Sequence, residues 1–351
     1  MRNLKRALSL VLAAMMLIGM MVVSAGAASK DFTDKDEIKH PEAVNTLVTL
    51  NVISGKEDGS YFDPTGTLTR AEMAKLITYV LNGGVEPVLG TKVTPTYSDI
   101  KGHWAEAYIE YCTSMNIIVG DGTGKFNPEG TLTASQCAKM LLTAMNYKDD
   151  IFGFVGNSWE INVNREANAA GLYKELGSIT ASSPISRDNA AQMVYNAIQS
   201  KTMELSWSQD MTTGKVTQTY NLIGDSLFTS KFNGTTYEGL LTATGNYDLT
   251  ALGTAGASAS AKGFVVDVDQ INGDKADSDH AKNTYFKFED QDLSSIIGQT
   301  VKVLVGDKGV VYGVYATSDN TVVEAPFSTV KRTSKAGELN IDGTVYDYDI
   351  R

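Results

Sequence analysis

Two arginines occupy the same unusual slot. Arg70 follows Thr69 and Arg187 follows Ser186, each just ahead of an apolar run with helical spacing. The first helical position meets the positive end of the helix dipole, which disfavours a cation. Beyond Ala27 the chain has arginines only at 70, 165, 187, 332 and 351, and two of these take this slot. Two chemistries suit such a residue. One is a salt bridge to an acid of a neighbouring segment. The other is a bidentate grip on an anionic ligand, which the planar guanidinium provides well. A third segment has Ala134 in the slot, so at most two such pockets are competent.

The elements that must position these arginines are written more than once. GKEDGSYFDPTGTLTRAEMAKLI begins at Gly55, and GDGTGKFNPEGTLTASQCAKML begins at Gly120. Both carry a glycine, an aromatic-x-Pro, Gly-Thr-Leu-Thr and Ala-Lys. Met73, Leu76, Ile77, Val80 and Leu81 form one helical stripe. Cys137, Met140, Leu141, Ala144 and Met145 repeat it, as do Ala190, Met193, Val194, Ala197 and Ile198. Thr69-Arg70-Ala71-Glu72 and Thr133-Ala134-Ser135-Gln136 have the form of a capping box. That accounts for Thr and Glu/Gln structurally and gives Glu72 no ligand role.

An earlier helix also recurs, with Ala43, Val44, Leu47 and Leu50 matching Tyr108, Ile109, Cys112 and Met115. Each runs into a short strand-like step and a glycine, NVISG or NIIVG. A third, degenerate copy has its first helix between Trp159 and Ala170 and a shortened loop, SITASSP. One such unit is too small to bury a core alone. The three copies, 31–84, 97–147 and 151–201, are therefore expected to form one helical domain of approximate threefold symmetry.

These motifs resemble the S-layer homology domain. Copy two reads YSDIKGHWAEAYIEYC, NIIVG, KFNP and TLTASQ; copy one reads FTDKDEIKHPEAVNTL, NVISG, YFDP and TLTRAE; copy three keeps PISRDNAAQMVYNAI. The resemblance covers about half of the chain. It implies a three-pronged helical domain whose grooves bind the secondary cell wall polymer of a Gram-positive-type envelope, typically through a pyruvylated sugar. Carried over residue by residue, the groove positions are Asp34 and Asp99, Trp104, Gly55 and Gly120, and Arg70 and Arg187. A ketal carboxylate suits Arg, an aromatic face suits a sugar ring, and Asp can accept sugar hydroxyls. Simpler readings stand beside these: Trp104 covering the bundle end, Asp34 and Asp99 capping the first helices. Copy one has Ile38-Lys39 where copy two has His-Trp, copy two lacks the Arg, and copy three lacks the aromatic-x-Asp start, with Trp159 as a substitute aromatic.

The N-terminus reads as a secretory signal peptide over residues 1–27. Arg2, Lys5 and Arg6 precede an apolar run from Ala7 to Val23, and Ala25-Gly26-Ala27 gives a cleavage pattern. Cleavage leaves no span of membrane length. The formal net charge of −11 becomes about three units more negative on cleavage, which argues against nucleic acid. Cys112 and Cys137 both fall on apolar stripes, favouring two buried thiols over one disulfide.

From 205 to 351 the pattern turns to short β-rich runs with hairpin signals at Asn233-Gly234, Asp307-Lys308-Gly309 and Asp342-Gly343, an all-β sandwich or small barrel. The chain stops at YDYDIR without a closing turn, which reads as a fragment of a longer protein. His280 lies alone in a polar loop, and no metal-ligand or nucleophile pattern appears. Glu238 and Glu289 as a glycosidase pair rest on no geometry, and the EDGSYF and GDGTGKF loops lack the EF-hand ligand order. The expectation is an exported, non-catalytic, cofactor-free S-layer or S-layer-associated protein. Its partners would be secondary wall polysaccharide and other S-layer subunits. The alternative is a wall-anchored polysaccharide- or peptidoglycan-active enzyme whose catalytic domain lies beyond Arg351.

Overall fold

Helix starts follow the capping chemistry. In the structure, a computed structural model, α1 spans Pro41–Thr49, α2 Arg70–Leu81, α3 Glu106–Ser114, α4 Ala134–Ala144, α5 Asp149–Phe152, α6 Trp159–Ala169, α7 Arg187–Gln199 and α8 Leu227–Phe232. Residues 32–56, 59–244, 263–277, 284–288, 292–318, 320, 322–323 and 325–347 are described. The signal-peptide segment, His280 and Glu289 lie outside them. Both halves of the capping box are made at Thr69/Glu72 and at Thr133/Gln136, and Ser186 caps the Asn189 amide. No helix among the described residues is long and apolar enough to cross a membrane.

The steps after α1 and α3 are turns, not strands. Asn51 and Asn116 take φ of 55° and 56°, a left-handed conformation that Asn tolerates. The Val52 amide then donates to Leu47 O at 2.8 Å and the Ile117 amide to Cys112 O at 2.9 Å, closing each helix end. Val52, Ile53, Ile117 and Ile118 drop into the core. An apolar pair read in isolation suggests a strand, but here it plugs the end of a helix.

The second helices of the copies are tied together at their starts. Short β-bridges join Thr69 to Thr131, Thr133 to Pro184 and Thr67 to Ser186, tying the segments 31–84, 97–147 and 151–201 to one another. Met73, Ile77, Cys137, Leu141, Met193 and Ile198 all belong to one core with α1, α3 and α6 residues such as Leu47, Ile109 and Val163. Met115 departs from its expected stripe and is 53% exposed, because α3 ends at Ser114. Cys112 and Cys137 are free, buried thiols. Burial pushes each up to about 12, with Thr78 beside Cys112 opposing it slightly.

The β-rich region begins at β1 (Thr202–Gln209), which among the described strands pairs with β2 (Val216–Gly224) alone. The main sheet holds β3 (Thr235–Thr244), β4 (Gly263–Ile271), β5 (Asp274–Lys275), β6 (Thr284–Lys287), β7 (Thr300–Val305) and β8 (Val311–Ala316). Its order is β5-β4-β3-β7-β8, with β6 also on β4 and every pairing antiparallel. A third sheet comprises β9 (Val330–Arg332), β10 (Glu338–Ile341) and β11 (Thr344–Asp347). No described pairing joins β8 to β5 or β6, so the described strands form three separate sheets rather than a closed barrel.

The helical and β-rich parts share a core. Val301, Val303 and Val305 of β7 pack with Phe264, Val266 and Val268 of β4 on one face of the main sheet. Leu304 and Tyr315, of opposite parity, face the helices and join their core, along with Met203 and the α8 residues Leu227, Phe228 and Phe232. The buried Thr46 and Tyr315 hydroxyls lie 2.6 Å apart. The Met203 amide donates to Met145 O at 2.9 Å, so no free linker separates the two parts.

Candidate functional site

Two grooves are built alike, each from the segments 31–84, 97–147 and 151–201. The larger, about 740 Å³, is formed by the copy-two loop and helix: Gly120, Asp121, Phe126, Gln136 and Lys139. Arg70 enters from copy one, and Trp159 from the start of α6. The smaller, about 200 Å³, is formed by the copy-one equivalents Gly55, Phe62, Glu72 and Lys75. Arg187 enters from the start of α7 and Trp104 from just before α3. Each arginine thus reaches out of its own copy, and each Trp closes a neighbour's groove.

Both arginines dock on the aromatic-x-Pro loop. Arg70 Nε donates to Phe126 O at 2.8 Å and its terminal nitrogen to Val119 O at 2.9 Å. Its guanidinium lies 4.3 Å from the centre of the Phe126 ring, a cation–π contact. Arg187 Nε donates to Phe62 O at 2.9 Å, over the Phe62 ring at 5.4 Å. Their remaining partners differ. Arg187 Nη1 makes an ion pair of 2.9 Å with Glu72 Oε1. Arg70 has no carboxylate at ion-pair distance among the described residues. Burial draws its pKa below the usual arginine value, partly offset by Tyr97, Asp121 and Asp99.

The aspartates hold these loops in place. Asp34 accepts from the Phe62 and Asp63 amides at 3.0 and 2.7 Å; Asp99 accepts from those of Phe126 and Asn127 at 2.9 and 2.8 Å. Burial pushes the Asp99 carboxyl up, but the two amides outweigh it and hold it below the usual range. Neither aspartate caps a first helix; both fix the carbonyls on which the arginines rest. A Cβ on Gly55 would collide with the Gly59 and Tyr61 carbonyls, and one on Gly120 with the Tyr97 ring and the Lys125 carbonyl. Only glycine lets these loops close. Trp104 is 54% exposed, edge-on to Tyr108 at 6.5 Å between ring centres, so it presents a face to solvent rather than sealing the bundle.

The S-layer homology family model matches residues 31–74 and 96–133. The chain carries S-layer homology domains. It is 32% identical over 157 residues to S-layer protein EA1 of Bacillus anthracis, covering 44% of this chain and 18% of that protein. It is 30% identical over 199 residues to an S-layer protein of Bacillus licheniformis, covering 54% and 22%. An uncharacterized cell wall amidase of Bacillus anthracis is 33% identical over 134 residues, covering 38% and 24%. The chain therefore spans only about a fifth of the length of these relatives.

The grooves are also lined by residues that the repeated motifs had not assigned. Lys75 and Lys139 line opposite grooves at equivalent places; the repeated Ala-Lys was the signal for them. Lys139 is held by Asp149 at 2.8 Å and Phe154 O at 2.7 Å, whereas Lys75 lies over the Tyr79 and Tyr108 rings. Glu72, read as a cap, also binds Arg187 across the copy junction. No local pattern announces a contact between residues this far apart in sequence.

The third junction is different. Ala134 is buried where the arginine would stand. Gln192 donates to Glu175 at 3.3 Å, and Asn189 meets His40 at 3.1 Å. Burial, then Glu175, pushes Glu42 up to about 8. This corner gathers acids and amides and receives no arginine from the repeated slot.

Proposed function

We propose that this exported protein is anchored non-covalently to the cell wall, with the Arg70 and Arg187 grooves taking the secondary cell wall polymer through its pyruvylated sugars. The observation that supports this most strongly is the repeated groove, with guanidinium, aromatic face and narrow glycine loop converging from three copies. In this reading Arg70 and Arg187 serve the anionic ketal and Trp104 stacks on a sugar ring. Gly55 and Gly120 let the chain approach the loop backbone, and Asp34 and Asp99 keep that backbone set. Residues 151–201 act as the degenerate third copy, and the cyclic bridges between copies support a pseudo-threefold bundle. The signal peptide over 1–27 delivers the chain to the envelope, where it serves as an S-layer or S-layer-associated component.

A second reading is favoured by the similarity to a cell wall amidase: the same anchor carrying a wall-active enzyme. The two separate cleanly in one experiment. The product of the whole gene, with any sequence beyond Arg351, is incubated with isolated walls that retain or lack the secondary polymer, then sedimented. Anchoring predicts sedimentation only with polymer-bearing walls and no new amino or reducing ends in the supernatant. Equal sedimentation with stripped walls contradicts polymer anchoring, and released ends establish the enzymatic reading.

A further inference from the structure

The two grooves share a design but not a charge. Glu72 and Gln136 occupy the same place, three residues into equivalent helices, and both make the capping box. The Thr69 amide donates to Glu72 Oε2 at 2.8 Å, and the Thr133 amide to Gln136 Oε1 at 3.0 Å. Glu72 has a second oxygen left, and that oxygen takes Arg187. Gln136 has an amide nitrogen left, which carries donors and no negative charge. It lines the groove into which Arg70 projects.

We infer that residue 72 or 136 sets which groove accepts an anion: Gln136 leaves Arg70 available to a carboxylate, whereas Glu72 already neutralises Arg187 and restricts its groove to neutral sugar. This rests on the polymer-binding reading above and revises one part of it: the anionic ketal goes to the Arg70 groove alone, and the Arg187 groove keeps only a neutral sugar contact. Two anions compete for one guanidinium in the smaller groove. A ligand carboxylate entering there must displace an ion pair formed at 2.9 Å, and Glu72 would then face it as a like charge. In the larger groove the guanidinium meets two carbonyls and the Phe126 ring but no described carboxylate, has lost part of its hydration, and gains by meeting an anion. The groove volumes, about 740 against 200 Å³, run the same way.

Glu72 and Gln136 make the same capping box at equivalent helix starts, so exchanging Glu and Gln is expected to keep each cap. Full-length wild type, Gln136→Glu and Glu72→Gln are titrated calorimetrically with a monosaccharide bearing a 4,6-pyruvate ketal and with its ketal-free parent. Circular dichroism melts confirm that each variant is folded. Wild type is expected to bind one pyruvylated sugar per chain. Gln136→Glu should lose tenfold or more of that affinity, because the new carboxylate pairs with Arg70. Glu72→Gln should gain a second site. Two equal sites in wild type, or an unchanged affinity in Gln136→Glu, would overturn the assignment while leaving wall anchoring intact if wild type still sediments with polymer-bearing walls. Absence of sugar and wall binding by wild type would overturn both.

Discussion

Arg70→Ala is expected to weaken binding to the secondary wall polymer by about tenfold to a hundredfold while the protein stays folded. A charge-assisted hydrogen bond of ~1.5–3 kcal/mol sets that range. The helix itself should not suffer. Its cap is made by Thr69 and Glu72, and Ala removes a cation from the positive end of the dipole. The carbonyls of Val119 and Phe126 that Arg70 engages lie at a groove water can enter, so they regain hydration. Arg70→Lys should recover only part of the loss, since an ammonium cannot bond both carbonyls and a carboxylate in one plane. Arg187→Ala should act differently, lowering stability at the copy-one to copy-three junction and reducing anion binding far less. Surface plasmon resonance on immobilised polymer, with thermal melts alongside, checks all three. Unchanged binding by a folded Arg70→Ala variant would reduce the motif to a helix cap.

The second large effect is on stability. Phe228 is fully buried in the core that the helices share with the sheet. Its ring lies 6.2 Å from Tyr312 and 6.4 Å from Phe232, and the Gly234 backbone packs directly against it. Phe228→Ala removes a ring that none of these rigid neighbours can replace, and such changes cost about 3–5 kcal/mol. Because α8 touches both α2 and α7, the loss should appear in both halves. Far-ultraviolet circular dichroism and the fluorescence of Trp104 and Trp159 should shift to a lower melting temperature together. A variant whose helices melt as in wild type would show that the β-rich region is merely appended.

The helical part was largely legible because helix information is local. Stripes at i, i+3, i+4 and i+7, and caps written within four residues, place α2, α4 and α7 without knowledge of the rest. The buried thiols followed from the same stripes. The NVISG and NIIVG steps misled because two adjacent apolar residues do not distinguish a strand from a helix end closed by a left-handed Asn. The β-rich part was legible only as a class. The β3–β7 pairing spans a long stretch of chain, and such register is set by which faces become buried, not by the turns nearby. α8 was missed because its six residues carry too short a pattern. At the site, the repeated slot was legible, but the different surroundings of its two arginines were not. Arg187 found the acid of a neighbouring copy. Arg70 did not, because that copy writes Gln136 in its place.

Whether an anionic sugar of the wall holds this protein in place is tested most directly by titrating the full chain with purified secondary polymer before and after mild acid removes its pyruvate ketals. Saturable binding to the intact polymer is predicted, lost when the ketals are gone although the sugar backbone remains. Equal binding to both polymers, or binding to neither, would contradict it.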